Sequence, residues 1–119
     1  MIDCSVSSHT IVRKLEIKVL QVKENVSTMN DGEFRDLLLE HSAEGVCPYV
    51  VLDLSRMRFI NSSGLGAIAN MAMRLRKLMG ELVIVSDHRE LTQVFEVTKL
   101  DQTLNIVPTL DEAEGFFKG

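Results

Sequence analysis

The sequence predicts one α/β domain built on a sheet with parallel pairs, and three observations carry that prediction. Two short runs, Val50-Val51-Leu52-Asp53-Leu54 and Leu82-Val83-Ile84-Val85, are almost continuously apolar, as strands covered on both faces are. Between them, residues 62–79 repeat apolar side chains with helical period. From residue 50 onward the order runs strand, helix, strand, helix, strand, helix, the alternation of an α/β sheet. At 119 residues the chain has the length of one domain, residues 1–119, and can bury a core without staples.

The first forty residues are the least patterned. A strand can run over Thr10 to Val12, and Leu15, Ile17 and Val19 alternate with Glu16 and Lys18 as in a half-buried strand. The apolar parity then shifts to Leu20 and Val22, which suggests a bulge or a strand end. Asn30 or Asp31 can cap a helix through about Ala43, with Phe34, Leu37 and Leu38 inward and Gly45 as its stop. In the helix of residues 62–79, Leu65, Ile68, Ala69, Ala72, Leu75 and Met79 share one face. Arg74, Arg76 and Lys77 suit its C-terminal dipole, and Gly80 stops it. Ser86 or Asp87 can cap a helix holding Leu91, Val94 and Phe95. Asn105 to Val107 reads as a short strand and Leu110 to Phe117 as a last helix.

Composition removes several functions. Thirteen basic against seventeen acidic residues give a net charge of −4, the wrong sign for a protein that grips nucleic-acid backbone. Cys4 and Cys47 fit neither a metal cluster nor a disulfide framework; they read as reduced thiols, which with the absence of a secretory h-region favours the cytoplasm. Apolar runs stop far short of the roughly 20 residues that span a bilayer, so no direct membrane insertion is expected. His9, His41 and His88 lack the spacing of a triad or metal site, and Ser62 lacks the G-x-S-x-G elbow. No metal, cofactor or catalytic residue is expected.

The most informative stretch joins the Asp53 strand to the long helix: Leu54-Ser55-Arg56-Met57-Arg58-Phe59-Ile60-Asn61-Ser62-Ser63-Gly64-Leu65-Gly66. Ligands of α/β sheets meet the chain at strand C-termini and helix N-termini. Capping alone accounts for one of Asn61, Ser62 and Ser63, yet three stand in a row. Gly64 and Gly66 are poor helix formers unless something approaches the backbone closely. A competing pattern uses the same letters. Gly64-Leu65-Gly66-Ala67-Ile68-Ala69 fits the dinucleotide fingerprint, with Asp87 about twenty residues on. Several residues separate these glycines from the strand, and the unit begins in mid-chain.

As a run, Asp53-Leu54-Ser55 followed by Phe59-Ile60-Asn61-Ser62-Ser63-Gly64-Leu65-Gly66 resembles the signature of STAS domains, and within them is similar to the free-standing bacterial anti-sigma-factor antagonists. The likeness continues through Arg74-Leu75-Arg76, Gly80 to Val85, Val94 to Asp101 and Leu110 to Ala113. The resemblance implies a small mixed sheet with helices packed mainly on one face. It implies a non-enzymatic partner switch that binds an anti-sigma factor, itself a serine kinase of the histidine-kinase-like ATPase fold. That kinase would phosphorylate Ser62 (Ser63 as the alternate), and a PP2C-type phosphatase would restore the hydroxyl. The amides of Gly64 and Leu65, with the helix dipole, would favour the phosphate.

Asn61, Ser62, Ser63, Gly64, Leu65, Ala67, Met71 and Arg74 form the expected partner surface, with Ala67, Met71 and Leu78 as a second apolar stripe opposite the core face. Two features depart from the family. Asn61 stands where an Asp is usual, and Lys23 to Thr28 replaces a glycine-acidic-leucine-aspartate turn. The alternatives are a STAS scaffold of a transporter or lipid-transport ATPase complex, which is not phosphorylated, and a dinucleotide-binding protein.

Overall fold

Burial on two faces explains the sheet. The computed structural model describes residues 2–12, 15–45 and 47–118. The side chains of residues 8–12, Leu15 and Lys118 lie outside the described set, and with them the alternation expected at Leu15. Five strands line up in chain order: β1 (Cys4–Val12), β2 (Leu15–Val22), β3 (Tyr49–Asp53), β4 (Glu81–Val85) and β5 (Asn105–Val107). β1 is antiparallel to β2 and the other pairs are parallel.

Helices α1 (Asp31–Glu40), α2 (Ser62–Lys77) and α3 (Arg89–Val97) connect successive parallel strands. They bring Phe34, Leu38, Ile68, Leu75, Leu91 and Phe95 onto the sheet face carrying Leu20, Val22, Val50, Leu52, Leu82 and Ile84. A 3-10 turn at Leu100–Gln102 leads into β5, and α4 (Leu110–Lys118) closes the chain. Among the described residues α4 is the helix on the opposite face, where Ala113, Leu110 and Phe117 pack with Ile17, Val19, Val51, Val83 and Val85. The mixed sheet and its largely one-sided helices agree with the fold class read from the sequence.

Several local expectations need correction. The parity shift in β2 is no bulge. Ile17 and Val19 face α4 while Leu20 and Val22 face the other helices, so one regular strand is apolar on both sides. The register irregularity lies in β1, between Ser8 and Ile11. α1 ends at Glu40, because buried Ser42 Oγ donates to the Leu38 carbonyl at 2.8 Å and closes the last turn. α2 ends in a Schellman motif with Met79, not Gly80, in the left-handed conformation (φ 64°). The Gly80 N–H donates to the Leu75 carbonyl at 2.8 Å and that of Met79 to Arg76 at 3.1 Å. Met79 therefore points to solvent at 84% exposure, away from the core assigned to it. Gly80 serves another need: a Cβ there would stand 2.1 Å from the Pro48 carbonyl oxygen. α3 opens at Arg89 with His88 at its N-cap, so neither Ser86 nor Asp87 caps it.

Candidate functional site

The site is assembled by two loops that meet at the N-terminus of α2. Val26 forms a parallel bridge with Ile60: the Val26 N–H donates to the Phe59 carbonyl and the Asn61 N–H to the Val26 carbonyl, both at 3.1 Å. The Asn25 side-chain oxygen accepts from the Arg58 and Phe59 amides at 2.8 and 3.2 Å. Asn30 is the N-cap of α1, as expected, but its side chain makes no capping bond; its oxygen accepts from the Ser27 N–H at 2.9 Å, and its amide group donates to Glu24 at 2.8 Å. Glu24 also accepts from the Asp3 N–H at 2.7 Å, and these two bonds hold its carboxyl below the usual range.

Asn61 is the N-cap of α2. Its Oδ1 accepts from the Gly64 N–H at 2.9 Å, and its Nδ2 donates to Asp31 Oδ2 at 3.1 Å. The second bond fixes which end of the carboxamide faces the helix. Asp31, the first residue of α1, thus supplies a carboxylate beside the motif from another helix. Gly64 packs so closely on Ile60 that a Cβ would come within 2.6 Å of Ile60 Cγ1. Ser62 and Ser63 are exposed. The first turn of α2 contains no acidic side chain.

The amides differ from the expectation. Gly64 N–H is taken by Asn61 Oδ1, and Leu65 N–H by the Asn61 carbonyl at 3.1 Å. Among the described residues the Ser62 and Ser63 amides have no protein acceptor, so these two are the donors open to an incoming anion.

The partner surface read from periodicity is also revised. Ala67 and Met71 are buried, against Leu38 and Leu39 of α1. Gly64 and Leu65 are buried as well. Arg74 donates from Nε to Ser42 Oγ at 3.1 Å, placing its cation by the C-terminus of α1, a helix with no basic residue in its last turn. Of the eight residues, Ser62 and Ser63 are exposed and Asn61 and Arg74 partly so. The outward face of α2 is Ser62, Gly66, Ala69 and Met73, spaced four, three and four apart. A Cβ on Gly66 would touch nothing, and Met73 is 58% exposed. Exposed Phe59 and Met29 lie on the two loops that Asn25 and the Val26–Ile60 bridge tie together. Sequence reasoning missed Asn25, Met29, Asp31 and Phe59 as site residues. The one available signal was that the unusual segment Lys23 to Thr28 and the unusual Asn61 occur in the same chain.

The dinucleotide reading fails on this geometry. Gly64 and Gly66 lie inside the first turns of α2, eight residues separate β3 from that helix, and the Gly64 amide is already bonded. The strands run in chain order, so the sheet has no point where strand order reverses to open a crevice. No helix among the described residues is long and apolar enough to cross a membrane.

Comparison with known proteins agrees with the fold and the motif. BtrV of Bordetella bronchiseptica, a candidate anti-sigma factor antagonist, is 33% identical over 69 residues, 58% of this chain and 60% of BtrV. The match therefore spans less than two thirds of that relative. The crystal structure of an anti-sigma factor antagonist from Mycobacterium paratuberculosis superposes with a TM-score of 0.80, at 26% identity, over 95% of this chain and 91% of that one. SpoIIAA, a Bacillus cell fate determinant solved in its phosphorylated form, shares the fold at 16% identity and a TM-score of 0.67, over 93% of this chain and 96% of its own. The STAS domain family model matches residues 9–113. With that match running from the first strand into the last helix, the chain belongs to the STAS domain family.

Proposed function

We propose that this chain is an anti-sigma factor antagonist that works as a partner switch. With Ser62 unmodified it binds an anti-sigma factor that is a serine kinase of the histidine-kinase-like ATPase fold. The kinase moves the γ-phosphoryl group of ATP to Ser62 Oγ, ADP leaves, and the complex separates. A PP2C-type phosphatase hydrolyses the ester and returns inorganic phosphate and the hydroxyl. The reading places these events in the cytoplasm and gives the domain itself no catalytic residue.

One observation carries the reading. An exposed hydroxyl opens α2, with free amides at Ser62 and Ser63, no acid in the first turn, and an outward stripe of Gly66, Ala69 and Met73. A phosphate adds about −1.5 to −2 charge, and the helix N-terminus tolerates it in the free domain. In the complex the same dianion would have to be desolvated against a surface fitted to a hydroxyl. A penalty of about 3–4 kcal/mol lowers affinity by two to three orders of magnitude. A local charge is sufficient, without refolding. The relatives named anti-sigma factor antagonists support this assignment.

Incubation with the kinase and MgATP, followed by peptide mapping, tests it. Label is expected on Ser62, S62A should remain bound, and S62D should bind weakly. G66Q probes the stripe independently. It should raise stability by about 0.5 kcal/mol, because Gly is a poor helix former, yet block docking. Label on a residue other than Ser62 or Ser63, or equal binding by S62A and S62D, refutes the switch; full binding by G66Q refutes the surface.

A further inference from the structure

Charge is unevenly spread along this chain. Residues 54–80, the loop before α2 with α2 and its end, hold five of the thirteen basic residues and no acid, against eight bases and seventeen acids elsewhere. Two of the five are engaged. Arg74 Nε donates to Ser42 Oγ, while Arg76 pairs with Glu81 at 3.1 Å and donates to the Thr103 carbonyl at 2.7 Å. Arg56, Arg58 and Lys77 are exposed, and among the described residues they make no ion pair and no side-chain hydrogen bond.

These three cations bracket the surface that carries Ser62. Lys77 follows Met73 by four residues and so continues the outward row of Ser62, Gly66, Ala69 and Met73. That row is about 22 Å long at 1.5 Å per residue. Arg56 and Arg58 stand at its other end, in the loop whose Phe59 is 53% exposed. The Asn25 side-chain oxygen holds the Arg58 and Phe59 amides, and the Leu54 and Met57 side chains are fully buried. The loop therefore presents its arginines from a fixed backbone. The helix dipole accounts for a cation such as Lys77 in the last turn, but not for two arginines before the positive end of α2. The nearest acids in the chain are held by other donors: Asp53 is buried and accepts from the Ser55 N–H and Gln21, and Asp31 accepts from Asn61. The outward surface is thus apolar along its middle and positive at both ends, in a chain whose net charge is −4.

We infer that the segment of the partner that docks here has an apolar centre and acidic ends. Its apolar side chains would lie on Gly66, Ala69 and Met73, and its carboxylates would reach Arg56 and Arg58 at one end and Lys77 at the other. The inference rests on the partner-switch reading and adds the chemistry of the partner. A phosphoryl group on Ser62 would face the same carboxylates, so repulsion joins desolvation, and association slows as well as dissociation quickening.

Titration of the full chain by ¹⁵N–¹H correlation NMR tests it. The probe is a synthetic helical peptide with leucines along one face and glutamates at both ends; the control carries lysines in place of the glutamates. Saturable shifts are expected at Phe59, Gly66, Ala69 and Met73 with the acidic peptide, and much weaker binding with the basic one. An exposed charge contact is worth up to about fivefold in affinity, so R56E/R58E/K77E should weaken the acidic peptide about tenfold or more and strengthen the basic one. The variant should stay folded, since it changes exposed side chains without a partner among the described residues. Ionic strength of about 0.5 M should remove most of the difference between the two peptides. The switch is read separately, from the position of the label and from S62A against S62D with the kinase, so the two failures are distinct. No saturable binding of the acidic peptide, equal or tighter binding of the basic one, or unchanged affinity in R56E/R58E/K77E would overturn the inference.

Discussion

Replacing Asn61 with the aspartate usual in the family should destabilise this chain, although Asp is as good an N-cap as Asn. The reason is Asp31. Its Oδ2 accepts from Asn61 Nδ2 at 3.1 Å, so N61D sets two carboxylates in contact and removes a hydrogen bond. Both residues are partly exposed, which puts the effective dielectric toward the upper part of the range of 20–80. The repulsion at such a distance is then about 1–2 kcal/mol. The lost bond adds about 1 kcal/mol, and the gain of a charge at the start of α2 returns about 0.3–1 kcal/mol. The net cost is about 1–3 kcal/mol, a fall in Tm of about 4–12 °C for a domain of this size.

Urea and thermal denaturation at pH 7 measure it, and added salt, which screens the repulsion, should shrink the deficit relative to the unmodified chain. The double variant D31N/N61D exchanges donor and acceptor and should recover most of the loss, the coupling a double-mutant cycle reports. Equal stability of N61D and the parent at pH 7, or no recovery in the double variant, would falsify the argument.

Two further outcomes follow from local geometry. Met79 holds a left-handed backbone at the end of α2 with its side chain in solvent, so M79G should gain about 1 kcal/mol. Differential scanning calorimetry that shows no rise in Tm would contradict the Schellman assignment. His41 Nδ1 lies 3.0 Å from Lys18 Nζ, and burial, then the Lys18 charge, lowers its affinity for a proton below the ordinary value of 6.5. Above 6.5 both states hold neutral His41 and its contribution is fully present. As pH falls below 6.5 the unfolded chain takes up the proton first, and stability is lost. H41Q should therefore lose less Tm than the parent between pH 7.5 and 5.5; parallel curves would exclude this role.

The parts of the fold legible in the sequence are those whose burial needs no partner to be named. Val50 to Asp53 and Leu82 to Val85 are covered from both sides, so their apolar runs report strands directly. β1 was mostly missed because an edge strand of Cys4, Ser5, Val6, Ser7 and Ser8 carries little apolar contrast, and Val6 is half exposed. The Ala67–Met71 stripe was visible as periodicity, but periodicity does not say what covers a stripe, and α1 does. The Asn25 and Asp31 contacts join residues 30 to 34 positions apart, a pairing no local pattern encodes. The motif itself was legible because its cap, its close-packed Gly64 and its exposed serines are consecutive.

These contacts also explain how one phosphate could dominate the electrostatics of the surface. Asn25, Asn30 and Asn61 lock the loops before α1 and α2 with neutral amides, which fix Phe59 and Met29 in place without adding charge. α1 and α2 are pinned at one end by Asn61 and Asp31 and at the other by Arg74 and Ser42, with Leu38, Ala67 and Met71 between. Arg74 is drawn to the far end, and Glu24 is engaged by the Asp3 amide and Asn30. The carboxylate beside the cap therefore belongs to α1, while the first turn of α2 carries none. Under the proposed switch, a dianion gained at Ser62 would meet two free amides and a helix dipole in the isolated domain, and in a complex the partner surface closed over Gly66 and Met73. The difference between those two environments would set the size of the proposed switch, which would require the scaffold to stay rigid while the charge changes.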